Sequence, residues 1–95
     1  MQKSITEFLK SKGFRKSNKD KMIYELGKNS GIVVSCYDSE DNEEKYEFTL
    51  NYLSEESGDP QLLFCGLTAS KLVEKFDLMY QLSYNLNDFL RNHEF

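Results

Sequence analysis

Ninety-five residues with a net charge of −4, 39% hydrophobic content, seven Phe and six Tyr can build one core but not two, and are too apolar and aromatic to stay disordered. The longest uninterrupted apolar run is Leu62-Leu63-Phe64-Cys65, far short of a membrane span, and the first residues lack the apolar run of a secretory leader, so the expectation is a single soluble, cytoplasmic domain over residues 1–95. Charge is divided unevenly: residues 1–28 carry eight basic against three acidic residues (+5), residues 29–95 four against thirteen (−9), and nine acids face one lysine between positions 38 and 59.

Ser4-Ile5-Thr6-Glu7 has the pattern of a capping box, with Ser4 as cap and Glu7 reaching back to it, and predicts a helix over residues 4–12. Ile5, Phe8 and Leu9 form its apolar stripe, and Gly13 stands where a left-handed residue would close it, with Phe14 folding back. Residues 15–21 are polar and read as a connection. The period then changes to two: Met22, Tyr24 and Leu26 oppose Ile23 and Glu25, which predicts a strand. Residues 27–31 supply a turn into the β-branched run at 32–37, and the acidic stretch 38–44 is expected as a loop. Residues 46–53 alternate strictly and give the clearest strand, Gly58-Asp59-Pro60 marks a turn, and a last strand is expected over 61–65.

Thr68 is the cap candidate for a long helix from Ala69 to Asn92. Leu72, Phe76, Met79, Ser83, Leu86 and Leu90 trace one stripe, while Leu78, Leu82 and Phe89 trace a neighbouring one. Such a helix is about 35 Å long and overhangs a strand of ordinary length, so its far end must cover the first helix or meet a second copy of the chain. The predicted fold is a two-layer α+β domain, with an N-terminal helix, a four-stranded antiparallel meander and a long C-terminal helix, both helices on one sheet face. Glu25, Ser35, Glu47, Thr49 and Asn51 are expected on the wet face.

Chemistry is sparse. Alternating oxygens at Asp38, Glu40 and Asn42 suggest a calcium loop, but the sixth and twelfth positions, which need Gly and Glu, are Glu43 and Thr49. The sole histidine, His93, is the third residue from the C-terminal end with no nucleophile beside it, and no phosphate loop or nucleophile elbow is present. Cys36 and Cys65 are too few for a disulfide framework and lack metal-ligand spacing, so both are expected as buried reduced thiols. No catalytic, cofactor or metal site is therefore expected, and the chain reads as a non-enzyme.

Protein recognition takes the remaining weight. Asp38, Glu40, Asp41, Glu43, Glu44, Glu55, Glu56 and Asp59 are the expected contact with a protein of basic surface, in two loops at opposite ends of the sheet. Carboxylates there could stand in for phosphates and make the chain an inhibitor or competitor of a nucleic-acid-binding protein. Small acidic chains of phages and mobile elements act in this way, an analogy of size and charge alone. Replacing Glu40, Asp41, Glu43 and Glu44 together by Ser is expected to abolish binding and leave the fold intact. A second reading is a homodimeric structural or adaptor protein, with Leu78, Leu82 and Phe89 as the interface. A third is weak nucleic-acid binding through Lys10, Lys12, Arg15, Lys16, Lys19 and Lys21, which the acidic remainder opposes. Nucleic acid and membrane are not expected partners.

Overall fold

The computed structural model describes residues 1–27, 30–40, 42–52 and 61–92. Its elements follow as α1 (Lys3–Ser11), β1 (Arg15–Asn18), β2 (Lys21–Gly27), β3 (Ser30–Asp38), β4 (Glu44–Tyr52), β5 (Gln61–Leu67) and α2 (Ala69–Asn92). The five strands form one antiparallel sheet in the order β1-β2-β3-β4-β5. The fold is thus α+β with five strands where the sequence pattern predicts four.

The additional strand is β1, which the sequence presents as a polar connection. All four of its residues are exposed, so it buries no side chain and shows no period of two; backbone pairing with β2 alone defines it. Asn18 shapes the turn that follows, its carboxamide oxygen accepting from the Asp20 N–H at 2.8 Å. Arg15 reaches Glu25 of β2 at 3.0 Å.

Alternation on the inner strands decides which face is covered. Met22 lies opposite Val34, and Tyr24 opposite Ile32. Val34, Ile32 and Cys36 lie in turn opposite Phe48, Leu50 and Tyr46, and residues directly opposite share a face. That face meets the helices: Ile5 and Leu9 of α1 and Leu72, Phe76 and Met79 of α2 complete the core with Phe14, Met22, Ile32, Val34, Tyr46 and Phe48. Phe76 is the hub of this core, with ring centroids 5.4 Å from Phe8, 5.8 Å from Phe14, 6.1 Å from Tyr80 and 6.2 Å from Phe48. Glu25, Ser35, Glu47, Thr49 and Asn51 share the other face, the one the helices leave open.

α1 ends as its sequence predicts. The Phe14 N–H donates to the Leu9 carbonyl and the Gly13 N–H to the Lys10 carbonyl, both at 3.0 Å, a Schellman closure that needs the positive φ of 95° at Gly13. Its start differs from expectation. Gln2 is the cap residue and offers no side-chain bond, and Ser4 lies inside the helix, so the Ser4 and Glu7 capping box does not form.

α2 begins at Ala69 as expected, the Thr68 hydroxyl accepting from the Lys71 N–H at 3.2 Å. Leu72, Phe76, Met79 and Ser83 are buried and Leu86 half-buried, while the side chain of Leu90 is outside the described residues. α1 meets the N-terminal half of α2, where Lys12 pairs with Asp77 at 3.7 Å and its ammonium lies 5.6 Å from the ring centroids of Phe8 and Phe76. Those contacts place α1 away from the far end of α2.

Both outer strands are interrupted. The β1 register shifts between Lys16 and Asn18, and β4 and β5 slip twice, between Tyr46 and Phe48 and between Phe48 and Thr49, with Gly66 at φ 68°. Bulged, short or charged outer strands resist pairing with another sheet.

Candidate functional site

The acidic stretch divides into strand and turn. β3 and β4 stay in register as far as Asp38 opposite Glu44, so the predicted loop over 38–44 shortens to a tip of five residues. The tip is bonded internally: the Ser39 N–H donates to the Glu43 carbonyl at 3.1 Å and the Asn42 N–H to the Ser39 carbonyl at 2.9 Å. The Ser39 hydroxyl donates to the same Glu43 carbonyl at 2.9 Å. Asn42 takes the left-handed φ of 61° that its short side chain tolerates.

The acids of this stretch have different surroundings. Asp38 and Glu40 are exposed. Glu43, also exposed, pairs with Lys45 at 3.1 Å. Glu44 turns inward: one carboxylate oxygen accepts from the Gln2 N–H at 3.0 Å and from the Tyr46 hydroxyl, and the other is 3.8 Å from the Met1 ammonium. Asp41, Glu55, Glu56 and Asp59 are outside the described residues, as are Gly58-Asp59-Pro60 and His93.

Glu44 therefore holds the start of α1 against the sheet, supplying from 42 positions away the acceptor that no local side chain provides. A quadruple substitution that includes Glu44 would remove this structural bond along with any contact, so loss of binding by that variant does not isolate the acidic contact.

Asp20, in the turn before β2, joins the same cluster and gave no signal in the sequence. Its carboxylate lies 3.5 Å from the Met1 ammonium and accepts from the Cys36 thiol at 3.4 Å, while the Cys36 N–H donates to the Asp20 carbonyl at 3.0 Å. Burial pushes the Cys36 thiol above its ordinary range. The thiol bond holds the Asp20 carboxyl below its usual value. Partial burial works against the charge of the Met1 ammonium, but Cys36, Glu44 and Asp20 outweigh it and raise its pKa. Tyr46 is raised by burial and by its bond to Glu44. A thiol held protonated beside carboxylates is a poor nucleophile, and the arrangement is structural. Neither cysteine is buried as expected: Cys36 is half-buried and Cys65 exposed, and β4 separates their strands.

Leu78, Leu82 and Phe89 share one flank of α2 and are 58%, 46% and 56% exposed. At 100° per residue this flank is about 120° round the helix from the buried Leu72 and Phe76 stripe. Tyr80 touches Tyr24 of β2, and Asp77 meets Lys12, so the opposite flank of α2 is the one turned toward β2 and α1. The Leu78 flank consequently faces past β5, at the outer margin of the helix layer. Tyr80 is pushed up to about 12, first by its bond with Tyr24 and then by burial.

The six cations of the nucleic-acid reading do not gather on one surface. Lys12 is engaged by Asp77 and two rings and Arg15 by Glu25; Lys16 lies opposite Met22 on the helix side, whereas Lys21 lies opposite Ser35 on the open side. Among the described residues no group of three or more His, Cys, Asp or Glu could hold a metal ion, and no helix is long and apolar enough to cross a membrane. No family model, curated protein or solved structure matches the chain.

Proposed function

We propose that this chain is a non-enzymatic protein-binding domain whose acidic β3–β4 tip engages a basic surface, so that it competes with nucleic acid for a nucleic-acid-binding protein. The observation that supports this reading is the pair of exposed carboxylates, Asp38 at the end of β3 and Glu40 on the tip that follows, where backbone bonds close the turn. A turn whose backbone is already bonded presents its carboxylates to a guanidinium or ammonium group without ordering the chain anew. Glu44 is absent from the contact because it is committed to α1. The test uses Asp38→Ser with Glu40→Ser, leaving Glu43 and Glu44 in place. In pulldown from the native host at physiological salt, the wild-type chain should retain a protein that a DNA oligonucleotide displaces, and the double variant should lose it. Equal capture by both chains rejects the acidic tip.

A second reading, association with another copy of the chain, is favoured by one observation: Leu78 and Leu82 are exposed side by side on the outer flank of α2.

A further inference from the structure

We infer that the open face of the sheet binds a free α-amino acid with a short apolar side chain, in a trough along β3 between Lys21 and Glu47. Val33 and Ser35 lie on that face, yet they are only 7% and 9% exposed. The helices pack on the other face, so the longer side chains of β2 and β4 must stand above these two on either side. The register sets Lys21 and Glu47 directly opposite Ser35, and Ile23 and Thr49 directly opposite Val33. The floor of the trough is thus a hydroxyl beside an isopropyl group, and its walls at the hydroxyl carry opposite charges. Ser35 points into it because Val34 and Cys36, its neighbours along β3, share the helix side with Phe48 and Tyr46.

The charges left unpaired on this face select the ligand. Arg15 meets Glu25 at 3.0 Å, and Lys45, two residues from Glu47 on β4, meets Glu43 at 3.1 Å. Among the described residues neither Lys21 nor Glu47 has an ion-pair partner, and the Ser35 hydroxyl has no hydrogen-bond partner. One ammonium and one carboxylate therefore stand on either side of one hydroxyl. β2 and β4 are two strand spacings apart, about 10 Å, a gap their long side chains can close on a molecule of a few atoms. A ligand of one sign would set a like charge against Lys21 or Glu47, and an uncharged ligand would desolvate both without compensation. A zwitterion satisfies both: its carboxylate meets Lys21 and takes the Ser35 hydroxyl proton in a hydrogen bond, while its ammonium donates to Glu47. Its side chain then rests on Val33 beside Ile23, which favours an apolar group.

The test is titration of the isotopically labelled full chain with L-valine, followed by amide shifts in nuclear magnetic resonance spectra. Saturable shifts in the millimolar range are expected at Lys21, Ile23, Val33, Ser35 and Glu47. N-acetylvaline, which lacks the ammonium, and valinamide, which lacks the carboxylate, should each bind about tenfold more weakly. Lys21→Met and Glu47→Gln, which keep side-chain length and should leave the far-ultraviolet circular dichroism spectrum unchanged, should weaken valine by a similar factor. Asp38→Ser with Glu40→Ser should not alter it, which separates this site from the acidic tip. Absence of saturable shifts with millimolar valine overturns the inference. So does binding that N-acetylvaline or valinamide reproduces in full, or that survives unchanged in both charge variants.

Discussion

The two helices begin in different ways. α2 is capped by the residue before it, Thr68, whose hydroxyl accepts from the Lys71 N–H, so its start is written in adjacent residues. α1 has no such cap at Gln2; a glutamate on β4 accepts its N–H instead, and that glutamate is also bonded to a buried tyrosine and close to the Met1 ammonium. A local cap can form as soon as the chain turns helical. The start of α1 is complete only when β4 is in its place in the sheet, so α1 depends on tertiary assembly in a way that α2 does not.

Breaking the distant cap should therefore do more than breaking the local one. Glu44→Ala leaves the buried Tyr46 hydroxyl and the Gln2 N–H without their carboxylate, and should lower unfolding free energy by about 2–3 kcal/mol in urea titrations. Thr68→Ala should cost about 1 kcal/mol, read as a melting temperature lower by roughly 4–8 °C. Equal losses would place both helices on the same footing.

Alkali sharpens the comparison. The Met1 ammonium and the Cys36 thiol both hold their protons more tightly in the folded chain, so the stability they add is present at neutral pH and is lost as pH rises from about 8.0 through their raised values. Urea midpoints measured at neutral and alkaline pH should fall in the wild type, and should fall less in Asp20→Asn with Glu44→Gln, which lacks the carboxylates that favour the ammonium. An identical fall in both chains would separate the amine from the cap. The smallest effect is a reversal of sign: Ser4→Ala, which would cost about 1 kcal/mol at a cap, should stabilise by a few tenths of a kcal/mol at an exposed position inside a helix.

The candidate site was legible unevenly for the same reason. Acidity over positions 38–44 and apolar spacing at Leu78, Leu82 and Phe89 can be read directly along the chain. Which acids stay exposed cannot. Glu43 and Glu44 are neighbours of one residue type, yet the strand alternation and the position of α1 set Glu44 against Gln2 and Tyr46 while Glu43 meets Lys45. Asp20 stands in a polar stretch and gains meaning only when β1 folds back on β2, bringing it to Cys36 and Met1. β1 itself was missed because an outer strand without buried side chains leaves no hydrophobic pattern, only backbone pairing with β2.

By itself the sequence determined whatever rests on contacts within a few residues: the period of two in β2 and β4, the left-handed Gly13 that ends α1, the Thr68 start of α2, and the α+β order of elements. Propensity, turn chemistry and side-chain periodicity act at that range. Tertiary structure alone decided the fifth strand, the cap of α1 and the division of the acids into a structural Glu44 and an exposed tip, because each depends on groups far apart in the chain whose meeting is set by how the sheet and helices pack.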